Sequence, residues 1–191
     1  MTHMPCVDLN CDLGEGAGQD AELMPLITSA NIACGAHAGD AATMRATLAL
    51  ALRHGVAIGA HPGFVDRENF GRREIAISPA EAATLVTTQT RTLQECAREF
   101  GAEVRHVKLH GALYKMAARD RALAEAVVTA VAGCGARLRL FVLAGSELER
   151  MARASGGIGV AAEVFADRTY RRDGSLTPRS QPGALNADEV T

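Results

Sequence analysis

Polar and apolar residues alternate in the segment 7–12, near the start of the chain. Asp8, Asn10 and Asp12 take every second position, and the residues between them are hydrophobic. Successive side chains of a β-strand point to opposite faces, so the three polar side chains share one face. In a half-exposed antiparallel sheet that face meets water, whereas in a parallel sheet covered by helices it lines a site.

The segment 104–110 repeats the alternation with His106, Lys108 and His110 on one face and Val107 and Leu109 on the other. Short apolar runs of this kind predict six strands, at residues 7–11, 30–34, 56–60, 104–110, 138–144 and 160–164.

Longer segments between these runs have the start and stop signals of helices. Asp40 is placed to cap a helix that runs to His54 and ends at Gly55. Ser78 and Glu81 form a capping box that begins a helix through Phe100, which stops at Gly101. Helices are also predicted over residues 118–132 and 146–154.

Strands that alternate with helices predict an α/β protein with a mostly parallel sheet. We expect a single domain over residues 1–191, a TIM-like (β/α) barrel in which polar residues at the C-terminal strand ends form the active site. Six predicted strands are fewer than the eight of a closed barrel, and Asn186 or Asp188 is placed to cap another helix. The sequence therefore predicts a barrel that is incomplete at its C-terminus.

Charge, cysteine content and missing motifs argue against several classes of function. The formal net charge of −2 gives no reason to expect nucleic acid or an anionic membrane as a partner. The five cysteines are odd in number, widely spaced and without a CxxC motif, so we expect free thiols and a cytoplasmic location. The sequence contains neither GxxxxGK[ST] nor GxGxxG, the familiar nucleotide-binding motifs.

Polar residues at or just after the predicted strand ends are the candidate site residues. Carboxylates there can bind a divalent metal or act as general acid and base, and histidines can bind a metal or move a proton. A lysine on an inner strand face is costly unless it is paired or functional. The candidates are Asp8, Asn10, Asp12, Glu15, Asn31, His37, His61, Lys108, His110, Glu163, Arg168 and Arg179.

Three further polar positions receive a different interpretation. His106 lies deeper on the same strand face as Lys108, away from the C-terminal rim. Tyr114 is interpreted as a packing residue. Ser146 follows a strand but lacks a GxSxG context, so we interpret it as a helix cap and not as a nucleophile.

Several segments, taken in order, closely resemble the LamB/YcsF family of 5-oxoprolinase (ATP-hydrolysing) A subunits. They are DLNCDLGE, SANIACGAHAGD, GVAIGAHPGF with FGRR, HVKLHGALY, LAGSE and EVFADRTYRRDGSLTPRSQPGA, which extend from about Val7 to Ala184. The resemblance implies a barrel of the glycoside hydrolase/deacetylase type. Family members continue through further strand–helix units with a late Val-His-Gly-Asp type motif, which this sequence lacks.

The resemblance also implies cleavage of 5-oxo-L-proline to L-glutamate, coupled to ATP hydrolysis, in a complex with the B and C subunits. ATP with Mg²⁺ would be a co-substrate, and no permanently bound cofactor is expected. Asp12 and His61 are the candidates for positioning or activating water, and Lys108 and His110 for stabilising negative charge. The other candidate residues would bind substrate, and a homo-oligomer is compatible with the sequence.

Two alternatives stay open at this point. Asp12, His37 and His61 are also a carboxylate–histidine set for a metal, as in a metal-dependent amide or carbohydrate hydrolase or deacetylase that needs no ATP. A non-enzymatic scaffold or sugar-binding protein is the other alternative. Polar residues on the inner faces of four predicted strands oppose it, because a scaffold would present its binding residues outside.

Overall fold

Six parallel strands form one sheet in the computed structural model, which describes residues 7–179 and 181–186. Their order in the sheet follows the chain, and every neighbouring pair is parallel. The strands are β1 Asn10–Leu13, β2 Ser29–Ala33, β3 Ala57–His61, β4 His106–Lys108, β5 Arg139–Leu143 and β6 Gly159–Glu163. The predicted α/β class and all six predicted strands are confirmed, although β1 begins three residues later than predicted and β4 is shorter.

Helices occupy the segments between the strands. They are α1 Asp20–Leu23, α2 Ala41–His54, α3 Pro79–Glu99, α4 Gly111–Arg119, α5 Arg121–Cys134 and α6 Glu147–Ser155. Asp40 caps α2 by accepting from the Thr43 amide at 2.8 Å, and Gly55 ends it in a left-handed conformation with φ 67°. Both Asp40 and Gly55 therefore act as predicted.

Side-chain caps also fix the starts of α3 and α6. The Ser78 side chain accepts from the Glu81 amide while the Glu81 carboxylate accepts from the Ser78 amide, which is the predicted capping box. Ser146 caps α6 by accepting from the Glu149 amide at 3.1 Å, which confirms its interpretation as a cap. Of the two predicted starts of a further helix, Asp188 lies outside the described residues, and the Asn186 side chain donates to the carbonyl oxygens of Ala166 and Arg168.

The predicted helix over 118–132 corresponds to α5, but its start is wrong, because residues 118 and 119 belong to the end of α4. Asp120 ends α4 and caps α5, since its side chain accepts from the Leu123 amide at 3.0 Å. The sequence did not reveal α4, because its first residue is Gly111 and the residue before it, His110, makes no side-chain cap. The histidine at this position is used by the site instead.

The hydrophobic core lies between the outer face of the sheet and the helices. Alternate strand residues such as Ile32, Ile58, Val107 and Leu140 are at most 4% exposed and belong to this core. Burying each such side chain stabilises the fold by about 1.5–3 kcal/mol. Because strand side chains alternate, this packing directs the polar residues of every strand to the inner face.

The sheet is strongly curled, as in a (β/α) barrel. The Asn10 side-chain amide on β1 donates to the Glu163 carboxylate on β6 at 3.1 Å, so side chains of the first and last strands meet across the interior. The inner-face polar residues are thereby gathered around one axis. Those near the C-terminal strand ends converge at one rim.

Two further sequence expectations can be compared with the described residues. Cys11, Cys34, Cys96 and Cys134 are free thiols, as predicted. None of the helices in the described ranges combines the length and hydrophobicity that a membrane span requires.

Candidate active site

Lys108, at the end of β4, is surrounded by acceptors from the two edge strands. Its ammonium group lies 2.9 Å from the Asn10 side-chain oxygen, 3.1 Å from Glu163 and 3.4 Å from Asp12. The side chain is only 5% exposed, and Asp12 is 36% exposed. Burial lowers the pKa of Lys108, but the two carboxylates outweigh it and raise that pKa above its usual value. Lys108 is therefore a buried cation whose open side is next to Asp12.

Three histidines and Glu15 converge beside this lysine. His61 ends β3, His110 follows β4, His37 lies in the loop after β2, and Glu15 lies in the loop after β1. The Glu15 carboxylate oxygen is 3.3 Å from His37 Nε2, 3.3 Å from His110 Nδ1 and 3.8 Å from His61 Nε2. His61 Nε2 also lies 3.4 Å from Asp12. The parallel topology therefore joins four loops or strand ends into one polar cluster.

The segment 62–71 holds these histidines in place, a function that the sequence did not reveal. Phe70 has φ 53°, unusual for a residue with a side chain, and its carbonyl accepts from His110 Nε2 at 2.8 Å. A Cβ on Gly63 would lie 2.9 Å from His37 Nδ1, so only glycine permits this close approach. The strained backbone at Phe70 is consistent with a constraint imposed by a site.

Charge interactions set the protonation of the cluster. Burial favours a higher pKa for Asp12, but His61 and Lys108 hold that pKa well below its usual value. Burial opposes ionisation of Glu15, yet the adjoining imidazoles of His110 and His37 lower its pKa to about 2. Burial lowers the pKa of His37 to about 4 despite its bond to Glu15. Asp12 and Glu15 are therefore anionic at neutral pH.

The pKa of His61 shifts in the opposite direction to that of His37, because Asp12 lies next to His61. Burial lowers the pKa of His61, but the charge and hydrogen bond of Asp12 outweigh burial and raise it above the usual value. The structure thus places an acid–histidine pair at the end of β3. His37 and His61 of the sequence-based metal set group with Glu15 and His110, whose donor atoms lie within 4.8 Å of one another, whereas Asp12 of that set is not in this group of possible ligands.

A second polar layer lies below the cluster, toward the N-terminal strand ends. Buried His106 bonds through Nε2 to the Asn31 side-chain oxygen at 2.9 Å and stacks on Phe141, with ring centroids 4.2 Å apart. Gly59 permits this contact, because a Cβ there would lie 2.0 Å from the His106 ring. Asn31 in turn donates to Asn10 and Asp12, so this layer supports the site.

His106 is expected to make stability dependent on pH. Burial is the main cause that lowers its pKa to about 4; Asp8 opposes this shift, and Lys108 and His61 add to it. A pKa of about 6.5 in the unfolded chain means that only the unfolded state gains a proton as pH falls from about 6.5 to 4. The free energy of unfolding should therefore fall by about 3 kcal/mol across this window through His106 alone. Replacing His106 by Gln should remove this component in urea titrations from pH 7 to 4.

His54 provides the matched control for this experiment, because it is an exposed histidine at the end of α2. His54→Gln should retain the wild-type decrease in unfolding free energy. An unchanged pH dependence in His106→Gln would contradict a neutral, buried His106.

Three of the predicted site residues lie apart from the cluster. Asp8 precedes β1, accepts from Ser29 at 2.6 Å and lines a cavity of about 890 Å³ at the N-terminal strand ends. Arg168 donates to the carbonyl oxygens of Thr177 and Ala184, which braces the segment after β6. Arg179 is exposed on that same segment. The structure therefore brings the other nine candidates together without these three.

Tyr114 lies at the site, so its interpretation as a packing residue alone is incomplete. Its hydroxyl donates to Glu163 at 2.8 Å from α4, the helix that was not predicted. Replacing Tyr114 by Phe should lower the free energy of unfolding by about 1.5–3 kcal/mol, because a bond to a charged acceptor is lost. Urea unfolding monitored by circular dichroism measures this change.

The chain has one other tyrosine, Tyr170, which is 39% exposed and accepts from the Phe165 amide. Tyr170→Phe removes a neutral, exposed bond and should cost less than about 1 kcal/mol. Equal losses of unfolding free energy in Tyr114→Phe and Tyr170→Phe would contradict a larger contribution from the hydrogen bond to Glu163.

A curled parallel sheet with carboxylates, histidines and a lysine at its C-terminal rim defines a barrel-type α/β protein with a polar site. Residues 7–191 match the model of the LamB/YcsF family, and the chain belongs to that family.

Similar proteins agree in sequence and in structure. A relative from Brevibacillus brevis, named as the A subunit of 5-oxoprolinase, is 56% identical over 97% of this chain and 75% of its own length. A relative of the same name from Bordetella pertussis is 54% identical over 96% of this chain and 75% of its own length. The crystal structure of a lactam utilization protein from Thermus thermophilus has a TM-score of 0.90 and 45% identity. That match covers 96% of this chain and 76% of the Thermus chain.

Proposed function

We propose that this chain is the A subunit of an ATP-dependent 5-oxoprolinase, which opens 5-oxo-L-proline to L-glutamate. Relatives that are 53–56% identical carry the name of that A subunit, and a structural neighbour is titled a lactam utilization protein. The observation that supports the proposal most is Lys108, a nearly buried cation whose less enclosed partner is Asp12. Such a group can stabilise negative charge that develops on a lactam or phosphoryl oxygen.

The proposed chemistry follows from the stability of the lactam amide. Transfer of the γ-phosphoryl group of ATP to the lactam oxygen releases ADP and gives an activated imidate-like phosphate. Water then adds to the ring carbon, the carbon–nitrogen bond breaks, and the nitrogen becomes the amine of glutamate. A second water releases phosphate from the resulting acyl phosphate. Two waters are consumed for each glutamate, ADP and phosphate formed.

We assign roles from exposure and charge. Asp12 is anionic and one-third exposed, so it can orient the attacking water or hold the developing ammonium group. The raised pKa of His61 suits proton donation to the leaving nitrogen better than the water activation that the sequence suggested. Lys108 balances oxyanion or phosphoryl charge. His110, held by the Phe70 carbonyl, supports His61 at 2.9 Å.

Substrate contacts are proposed for the remaining rim residues. Asn10, Glu15, His37 and Glu163 lie in the cluster or next to it and would fix the ring. Asn31, in the layer below, would act by holding Asn10 and Asp12. Arg179 is exposed on the segment after β6, where it could reach a carboxylate or phosphate, while Arg168 holds that segment in shape.

ATP with Mg²⁺ as co-substrate, partnership with the B and C subunits, and a cytoplasmic location belong to the same proposal. The test measures L-glutamate, ADP and phosphate from 5-oxo-L-proline and Mg-ATP, with this chain and purified B and C subunits. The Brevibacillus brevis relative serves as a positive control for the partner subunits. Equal amounts of glutamate and ADP support the proposal, and no glutamate beside an active control contradicts it.

The same assay without ATP tests the second candidate function, a metal-dependent amide hydrolase. The grouping of Glu15 with three histidines favours this candidate, because donor atoms of all four lie within 4.8 Å of one another. Turnover without ATP, and its loss with a chelator, would support the second candidate over the first.

A further inference from the structure

Two imidazole nitrogens face each other at the centre of the cluster without an obvious proton between them. His61 Nδ1 lies 2.7 Å from the Lys108 carbonyl, and His110 Nε2 lies 2.8 Å from the Phe70 carbonyl. A carbonyl oxygen only accepts, so each of these nitrogens carries a hydrogen. In neutral rings the opposite nitrogens, His61 Nε2 and His110 Nδ1, are then both bare. They are only 2.9 Å apart, so two lone pairs meet unless a cation lies there.

Glu15 adds a negative charge at the same point. Its carboxylate oxygen is 3.3 Å from His110 Nδ1 and 3.8 Å from His61 Nε2. Among the described residues of the cluster, the carboxylates of Asp12, Glu15 and Glu163 face one ammonium group, that of Lys108, which pairs with Asp12 and Glu163. Two negative charges therefore remain when the imidazoles are neutral, which is the charge that one divalent cation balances.

We propose that His61 Nε2, His110 Nδ1 and Glu15 bind a divalent transition-metal ion such as Zn²⁺. Two imidazoles and one carboxylate are a donor set that Zn²⁺ accepts, with a position left for water or substrate. Tetrahedral Zn²⁺ with bonds of about 2.0–2.1 Å places its donor atoms about 3.4 Å apart. The observed separations of 2.9, 3.3 and 3.8 Å bracket this value.

The surroundings of the donors also match a metal site. Histidine ligands usually donate their second ring nitrogen to a carbonyl or carboxylate, as both His61 and His110 do here. Asp12 lies 3.4 Å from His61 Nε2 and is the most exposed carboxylate of the three, so it borders the open position. A bound ion would supply a Lewis acid beside Asp12. Because the ion would occupy His61 Nε2, the proton-donor role assigned to His61 applies to the metal-free chain.

His37 is assigned a positioning role and not a ligand role. Its ring stacks on that of His110 with an interplanar angle of 2° and centroids 3.8 Å apart. Two parallel, stacked rings cannot both hold one ion in their planes. His37 Nε2 instead donates to Glu15 at 3.3 Å, while its buried Nδ1 lacks a partner among the described residues.

The first measurement is the metal content of the tag-free chain, purified from Zn²⁺-supplemented medium and dialysed, by inductively coupled plasma mass spectrometry. The second is the visible absorption of the protein after Co²⁺ replaces Zn²⁺, because tetrahedral Co²⁺ gives strong d–d bands. Both are made on the wild type and on His61→Gln, His110→Gln, Glu15→Gln and His37→Gln. His54→Gln, on the exposed end of α2, is the matched control. Circular dichroism confirms that each variant is folded.

We expect about one equivalent of metal and tetrahedral Co²⁺ bands for the wild type and for His54→Gln. His61→Gln and His110→Gln should bind less than about a tenth of an equivalent, and Glu15→Gln should bind weakly with altered bands. His37→Gln should keep the Co²⁺ bands while its Kd for Zn²⁺ rises about 10- to 100-fold. A metal-free wild type without Co²⁺ bands, or full binding by His61→Gln and His110→Gln, would overturn the proposal. The cation would then be a proton shared by the two rings.

Metal binding is measured without substrate, so its outcome is separate from that of the 5-oxoprolinase assay. Metal binding without glutamate formation would support the metal site and contradict the proposed 5-oxoprolinase reaction. Glutamate formation by a chain that binds no metal would support the proposed reaction and contradict the metal site.

Discussion

Lys108→Met is expected to lower glutamate release by at least about 10³-fold in the assay with the B and C subunits. Removing one group that stabilises developing negative charge typically costs about 10²–10³ in kcat. Here the same change also leaves Asp12 and Glu163 without their shared cation, which disturbs the pair next to the substrate. The kcat should therefore fall much more than the KM for 5-oxo-L-proline rises.

Stability should fall in the same variant. Breaking a buried ion pair costs about 3–5 kcal/mol, and the partial exposure of Asp12 favours the lower end of this range. The double variant Lys108→Met with Glu163→Gln removes one of the uncompensated carboxylates. It should recover part of the lost unfolding free energy and none of the activity. This separates the catalytic contribution of Lys108 from its structural one.

Lys115 is the matched control, because it is the other lysine of the chain and lies exposed on α4. Lys115→Met makes the same change in charge and size outside the cluster, so it should retain wild-type turnover. Activity in Lys108→Met within a few-fold of that in Lys115→Met would contradict the proposed role.

Local signals explain why most of the fold could be predicted from the sequence. Asp40, Ser78 and Gly55 act through neighbours within a few residues, and the structure places their caps as expected. The helix α4 has no such signal, because the residue at its N-cap is His110, which contacts His61 and Phe70 instead. A site residue here replaces a capping residue, so function overrides the local rule.

The alternation of polar residues predicts on which face of a strand each side chain lies, but not how far along the strand it lies. Asp8 and Asp12 share a face, yet β1 begins only at Asn10, and Asp8 lies toward the N-terminal ends. The register between strands determines this position along the strand, and here Asp12 pairs with Asn31 and Asn10 with Ser29. Register depends on partner strands, which are distant in sequence, so the alternation by itself could not separate Asp8 from the site.

Loop residues were the least predictable part. Arg168 is a cation in a Gly- and Pro-containing segment, which is typical of ligand-binding loops, but its guanidinium bonds carbonyl oxygens up to 16 residues away. Phe70 and Tyr114 contribute a backbone carbonyl and a hydroxyl to the site. Neither contribution leaves a mark in the sequence pattern, because carbonyls are common to all residues and tyrosines often pack.

The difference between Asp8 and Asp12 leads to the second prediction with a large effect. Asp12→Asn should lower the kcat for glutamate release by about 10²–10⁴-fold, as expected for loss of a group that orients or deprotonates water. The amide has nearly the same shape and can still accept from the Asn31 side chain, as Asp12 does at 2.9 Å. The variant should therefore stay folded, while His61 and Lys108 lose the negative charge between them.

Asp8→Asn makes the same substitution four residues earlier, on the same face of the chain. Because Asp8 bonds Ser29 at the opposite end of the sheet, its loss should change kcat by less than about threefold. Measured side by side, the two variants show which end of the curled sheet holds the reaction. A large loss in Asp8→Asn with little change in Asp12→Asn would place the chemistry at the N-terminal cavity. It would also show that the strand face predicts the residues of this site better than the position along the strand does.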